Sequence, residues 1–200
     1  PLWRSTKSVS YISISADGEF ISTSGSSGQK YLFSKDSSTP IWDDNRGYNG
    51  PIAISADGEY IASGDSNPNL YFYHRSSSTA LWTSAWQTFD GDSISSVAIS
   101  ADGECIVAAD HENGSPDTGA IYFFDKDSNT KQWTYELEAG SIGISISEDC
   151  KYITASSRDY GKVYLLEASS GNLLWSFNTT SNNSKVAMSA DGKYILAGSL

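Results

Sequence analysis

Methionine occurs once and cysteine twice in 200 residues, and positive charge is scarce: 13 lysines and arginines face 24 aspartates and glutamates. The resulting net charge of −11 argues against nucleic-acid backbones and anionic membrane surfaces, which recruit clustered lysine and arginine. No apolar run reaches the roughly 18 residues that a membrane-spanning helix needs, so no membrane insertion is expected. Two cysteines are too few for a disulfide-framework mini-domain or a four-cysteine zinc site. There are only two histidines, His74 and His111, and a Cys–His nucleophilic pair has no support. The glycines are turn residues, and no phosphate-cradling loop is present. Apolar residues recurring at helical spacing are also missing. The chain begins Pro1-Leu2-Trp3, with neither an initiator methionine nor an apolar leader, which points to a processed or excised fragment.

What is present suits strands and turns: 37 serines, 17 glycines, and 12% aromatic residues, mostly tyrosine and tryptophan. The composition reads as all-β. Ser15-Ala16-Asp17-Gly18 returns at Ser55, Ser100 and Ser189, with a degenerate copy at Ser147-Glu148-Asp149-Cys150. The aspartates of these copies are 40, 45, 47 and 42 residues apart. Tyr31, Tyr71, Tyr122 and Tyr164 each stand 11 residues before a tryptophan, namely Trp42, Trp82, Trp133 and Trp175. Each unit reads as four short strands: an alternating one such as Ile52-Ala53-Ile54, an Asp-Gly turn, a strand opened by an aromatic, an apolar third strand, and a short fourth ending in tryptophan. A four-stranded unit of this length is a propeller blade, because packing blades radially covers faces that one blade leaves bare. The expected fold is an all-β propeller of four-stranded antiparallel blades at 8–42, 50–82, 94–133 and 141–175, with a partial blade at 184–200.

The segment from Lys162 to Trp175, Lys-Val-Tyr-Leu-Leu-Glu-Ala-Ser-Ser-Gly-Asn-Leu-Leu-Trp, resembles the repeat of propellers related to pyrroloquinoline-quinone dehydrogenases. The Ser-Ala-Asp-Gly-Glu-Tyr-Ile segment is similar to the start of WD-repeat-like blades. The resemblance implies that each repeat tryptophan docks against the neighbouring blade. Three departures limit it. Only the fourth unit carries the quinoprotein-type turn glycine, the Gly-His and Trp-Asp dipeptides of true WD repeats are absent, and no adjacent cysteine pair exists. The family's chemistry therefore transfers to no residue here, and the fold alone licenses no reaction.

The chain opens at the tail of a fourth strand and stops near the end of a second, so no third strand lies between its two ends. The expectation is a window from a larger propeller of about six to eight blades. The alternative is a five-bladed ring with a defective last blade, or one completed by a neighbouring chain. Neighbouring blades or chains are then needed to close the ring.

Connections between the first and second and between the third and fourth strands are uniform from copy to copy; the others vary. Variable loops on a fixed scaffold are where binding resides. Two insertions border the third blade on that variable face, one carrying Trp86, Phe89, Asp90 and Asp92, the other Asp110, His111, Glu112 and Asp117. They read either as tolerated loop insertions or as a patch that grips a protein or glycan partner. Asp110, Glu112 and Asp117 are weak candidates for calcium, which takes six to eight oxygens, and no cofactor is otherwise expected. His74 reads as a turn-flanking polar residue, and the repeat aspartates and tryptophans read as turn and packing residues.

Cys105 replaces an aromatic found in the other copies, and Cys150 replaces a glycine. Both changes fall in the first hairpin of neighbouring blades. A disulfide between them would explain the pair, stabilise by about 3 to 4 kcal/mol, and favour an oxidising compartment; two unrelated buried thiols are the alternative. Sequons at Asn113, Asn178 and Asn182 lean the same way. The expected function is a non-catalytic binding or structural scaffold in a secreted or cell-surface protein. A quinoprotein-type or hydrolytic enzyme with its active site outside this segment is the alternative function, and the cytoplasm the alternative location.

Overall fold

The computed structural model describes residues 3–85, 93–111, 118–157, 161–179 and 183–199, and every regular element in them is a β-strand. The first sheet holds β1 (Tyr11–Ile14), β2 (Phe20–Ser24), β3 (Lys30–Ser34) and β4 (Trp42–Asp44). The second holds β5 (Ile52–Ile54), β6 (Tyr60–Gly64), β7 (Asn69–His74) and β8 (Trp82–Ala85). The third holds β9 (Ser93–Ile99), β10 (Cys105–His111), β11 (Gly119–Asp125) and β12 (Trp133–Leu137). The fourth holds β13 (Ser141–Ile146), β14 (Tyr152–Ser157), β15 (Lys162–Glu167) and β16 (Leu173–Asn178). Finally β17 (Asn183–Met188) pairs with β18 (Ile195–Ser199) as a hairpin. Each sheet runs antiparallel in chain order, and the fold is a β-propeller with four-stranded blades.

The serine and aspartate of each repeat close the first hairpin. Ser15 Oγ donates to Asp17 Oδ1 (2.6 Å), Asp17 Oδ1 accepts from the Glu19 amide (2.9 Å), and Ser15 Oγ accepts from the Phe20 amide (3.0 Å). The same three bonds recur at Ser55, at Ser100 and at Ser189. The serine is buried in most copies because its hydroxyl both gives and receives. The residue after it links blade to blade. Ala16 N donates to Ala56 O (2.9 Å), Ala56 N to Ala101 O (2.9 Å), Ala101 N to Glu148 O (3.2 Å) and Glu148 N to Ala190 O (2.9 Å).

The fourth strand differs from the expectation that it ends in tryptophan. Trp42 opens β4 opposite Leu32, and the strand runs on so that Asp43 and Asp44 pair with Tyr31 and Lys30. Strands β8, β12 and β16 likewise continue past Trp82, Trp133 and Trp175. The reason is that the first half of each third strand would otherwise lack a hydrogen-bonding partner. Each indole then reaches the next blade: Trp3, Trp42, Trp82 and Trp133 donate to the carbonyls of Lys35, Arg75, Lys126 and Ala168. The core accordingly forms slabs between sheets, for example Leu32, Trp42, Ile54, Ile61 and Tyr73 between the first and second.

A second contact repeats at the junctions. Phe20 of the first blade presses on Gly58 of the second, where an added β-carbon would stand 2.5 Å from the ring. Tyr60 presses on Gly103, and Tyr152 on Gly192, where that distance would be 2.6 Å. These glycines have φ of 70°, 73° and 69°, so their position in the turn also requires glycine. A cation from the later blade caps the ring: Arg75 lies 4.5 Å above Phe20 and Lys126 5.7 Å above Tyr60. Each is held by an acid of its own blade, Glu59 and Glu104. At the third junction every one of these parts is exchanged. Cys105 stands in the ring position, Cys150 in the glycine position at φ 57°, and Lys151 and Ala168 replace the acid and the cation. Cys105 and Cys150 are bonded across it, their Cα atoms 6.1 Å apart. Removing the ring leaves room for a β-carbon, so the two changes make sense only together.

Restoring the consensus at this junction tests that coupling. Cys150→Gly alone should lose the bridge, which closes 45 residues and contributes about 4 kcal/mol in the chain-entropy picture. Cys105→Tyr alone should lose it and also drive a ring against the Cys150 β-carbon. The double variant loses the bridge only once and removes the clash, so its loss should fall short of the sum of the singles by about 4 kcal/mol or more. Guanidinium denaturation of all four proteins measures it, and strict additivity would rule the coupling out.

Candidate binding site

At the end of the sheets opposite these turns, a cavity of about 500 Å³ gathers residues from the first three blades and the final hairpin. Tyr11 comes from the start of β1, Asn49 and Gly50 from the lead into β5, and Ser66 from the β6–β7 connection. Ser93, Ile94 and Ser95 open β9, His111 closes β10, and Lys185 lies on β17. Every contribution comes from a blade-to-blade or second-to-third connection, or from a strand end beside one. The propeller places these on one face because antiparallel strands alternate their ends. The lining is hydroxyl, amide, imidazole and ammonium, with the Tyr11 ring as an apolar platform. Asn49 Oδ1 is shielded from solvent and has no hydrogen-bond partner among the described residues, an acceptor left over at the cavity wall. Such a surface can hydrogen-bond a ligand presenting both donors and acceptors.

Of the residues singled out beside the third blade, His111 lines this cavity, while Asp110 turns inward. Asp110 is fully buried; its carboxylate accepts from the Ala120 amide and the Tyr122 hydroxyl, both at 2.6 Å. It therefore fastens the base of the loop and offers no exposed acid to a cation or partner. Asp65 does the same in the second blade, accepting from the amides of Asn67 and Asn69 (2.9 Å each) and from the Tyr71 hydroxyl (3.1 Å). Trp86, Phe89, Asp90, Asp92, Glu112 and Asp117, with Asn113 and Asn182, lie outside the described residues. Asn178 is exposed at the end of β16. Among the described residues no three His, Cys, Asp or Glu side chains cluster closely enough to hold a metal ion.

Sequence reasoning missed a buried ionic cluster between the first two blades. Lys30 is fully buried, its ammonium donating to Arg46 O (2.8 Å) and lying 4.5 Å from the centre of the Tyr71 ring. Burial pushes its pKa down, against the pull of Asp44 and Asp65. Asp44 receives both Nε and Nη2 of Arg46 (3.0 and 2.9 Å) and the Tyr73 hydroxyl (2.8 Å). Burial alone would raise the Asp44 pKa, but the hydrogen bonds from Arg46 and Tyr73 outweigh it and hold the carboxyl below its ordinary value. Burial, with the neighbouring carboxylates, drives Tyr71 and Tyr73 the other way, well above the usual phenol range. The cluster acts as a fastening between blades. The usable signal was Asp44-Asn45-Arg46, an acid and a base two apart in a turn after the tryptophan.

These repeats, this blade geometry and the tryptophan docking define a propeller of the pyrroloquinoline-quinone repeat class. A family model described as outer membrane protein assembly factor BamB matches residues 2–192, and the chain belongs to that family. No curated protein matches the chain. Among solved structures, hydrazine synthase of Kuenenia stuttgartiensis is similar at a TM-score of 0.75 and 19% identity, over 94% of this chain and 61% of that one. That likeness concerns the fold, and the chain spans less than two thirds of that relative's length.

Two outcomes follow from the buried acids. Asp110→Ala should destabilise by about 3 kcal/mol, because it removes the acceptor of a buried amide and a buried hydroxyl; urea denaturation measures the loss. Asp44→Asn should cost about 2 kcal/mol at neutral pH. Because the folded pKa of Asp44 lies below the ordinary 3.8, its contribution is complete above that value and lost as pH falls through the folded pKa. The gap between wild type and Asp44→Asn should therefore narrow as pH falls below 3.8 and through the folded pKa, and a gap independent of pH would contradict the pairing.

Proposed function

We propose that the chain is a non-catalytic propeller scaffold that holds a polypeptide partner at the mouth of its axial cavity. The observation that carries this reading is the cavity wall of serines, Asn49 and Tyr11 on the variable face. Hydroxyls and amides match the alternating N–H and C=O groups of an extended chain without demanding one side-chain sequence. The family's name, an outer membrane protein assembly factor, supports a partner of that kind. We place its work outside the cytoplasm, a location that the Cys105–Cys150 bond favours because such bonds persist in oxidising compartments. The cysteine pair that quinoproteins set beside their cofactor has no counterpart at the cavity, since Cys105 and Cys150 meet at the opposite end of the sheets. No cofactor is needed for the proposed role.

A fluorescently labelled peptide copying one alternating strand of an outer-membrane barrel protein tests the proposal by anisotropy. Ser66 is exposed at the rim, so Ser66→Trp fills the cavity with little effect on folding. It should weaken binding by about tenfold or more, the scale of one good contact. Undiminished binding by this variant, with an unchanged melting temperature, would move the partner away from the cavity.

A further inference from the structure

The two halves of the clasp between blades three and four have unequal surroundings. Cys105 is 9% exposed and belongs to the core formed with Val107, Phe123 and Ile153. Cys150 is half-buried and lines a depression of about 140 Å³ together with Lys151, Tyr152, Glu167 and Ser169. All five residues belong to the fourth blade, so the depression lies on the side of Cys150 away from Cys105. A thiolate attacks a disulfide sulfur in line with the bond, from the side opposite the leaving sulfur. The depression offers that approach at Cys150, whereas core side chains surround Cys105. Backbone conformation also marks Cys150, whose φ of 57° is the one positive value at a non-glycine among the described residues. A side chain is disfavoured there. The bridge, with the bond from Cys150 N to Ser147 O (3.1 Å), holds the turn in place.

We propose that Cys150 is a thiol-exchange site, at which a small zwitterionic thiol of the glutathione class opens and closes the junction between blades three and four. The small thiolate attacks Cys150 Sγ and forms a mixed disulfide. The electron pair of the old bond leaves on Cys105 Sγ, which takes up a proton. A second small thiolate then attacks the small-molecule sulfur of the mixed disulfide and releases Cys150 as a thiolate. Two small thiols become one disulfide, and the protein bridge takes up two electrons to give two thiols. Closure is the reverse: the Cys150 thiolate attacks the oxidised small disulfide, and Cys105 displaces the small thiol from Cys150. The lining sets the class of ligand. Lys151 brings a cation and Glu167 an anion to the depression, whose volume admits the thiol end of a small molecule. Both charges are placed by neighbours, Lys151 by Asp149 at 2.7 Å and Glu167 by the Ser170 hydroxyl at 2.5 Å. Once open, this junction has neither a covalent tie nor a ring on a glycine. The backbone bond from Ala101 N to Glu148 O (3.2 Å) then loses its support, while the Trp133 indole on Ala168 O (2.8 Å) still holds the blades farther out.

Two single variants each leave one thiol: Cys105→Ser keeps Cys150, and Cys150→Ser keeps Cys105. Incubated with oxidised glutathione while folded, Cys105→Ser should form its mixed disulfide about tenfold or more faster than Cys150→Ser, as read by intact mass. In denaturant the two rates should converge. Wild type supplies an arm that needs no variant. Reduced glutathione should open its bridge at a rate proportional to the thiol concentration, with circular dichroism unchanged. Peptides from acid-quenched samples should carry glutathione on Cys150 and not on Cys105. In the reduced wild type, hydrogen exchange should accelerate about tenfold or more at the Ala101 amide and stay as before at Ala16 and Ala56. A reduction rate independent of glutathione concentration means that the bridge opens only by unfolding, and overturns the proposal. Glutathione found on Cys105, equal rates for the two folded variants, or unchanged exchange at Ala101 overturns it too. Reduction by a thioredoxin-type dithiol protein but not by glutathione would give the site to a protein thiol instead of a small one. The depression and the loop-face cavity lie at opposite ends of the sheets, so none of these results bears on the Ser66→Trp experiment.

Discussion

An aromatic ring resting on a glycine that has no space for a β-carbon sets the separation between successive blades. Phe20 on Gly58, Tyr60 on Gly103 and Tyr152 on Gly192 are the same contact made three times. Because the glycine lies in the Asp-Gly turn, the ring also fixes where the first hairpin of the next blade ends. The alanine-to-alanine backbone bonds beside it then have their length, and the first strands have their places around the axis. Indole docking acts farther out, at the start of the fourth strand, so each junction is held at two radii. A blade so pinned cannot slide along its neighbour, and the loops at the far end of the sheets inherit that rigidity.

Polar groups take part in this packing to an unusual degree. Asp65 and Asp110 tie loop bases to tyrosine hydroxyls inside the core, and Lys30 and Asp44 sit buried between blades. Each of these charged groups is met by hydrogen bonds or by an opposite charge. This is the condition under which burial of a charge is tolerated. The acidic balance of the chain therefore overstates its acidic surface, since several carboxylates face inward.

The propeller was legible because the markers keep phase: an aspartate in each first turn, a tyrosine and then a tryptophan 11 residues on. Each marker serves a local need that a sequence displays, namely a turn, a buried strand or a docking ring. The end of the fourth strand was not legible, because Asp43-Asp44 carries no strand signal and is drawn into pairing only by the free edge of β3. Asp110 was read as a loop acid because the insertion after it hides its place. Counted from Cys105, it stands where Asp65 stands from Tyr60, at the end of the second strand. Lys30 begins a strand and looks solvent-facing, and only the packing of the second blade against it turns its surroundings into an interior. The cavity is assembled from six connections, or the strand ends beside them, spread over the whole chain, which no local pattern announces.

The third junction has a bearing on how such a chain can be rearranged. Four of the blades look alike, and duplication or shuffling of repeat units would seem free to reorder them. Yet the third and fourth carry matched halves of a covalent clasp where the others carry a ring and a glycine. Placed after the second blade, the fourth would set the Cys150 β-carbon into the Tyr60 ring; placed before the fifth position, the third would offer a thiol where a glycine awaits an aromatic. The order of the blades is thus written into their junctions, and this pair can be inherited, copied or lost only as a unit.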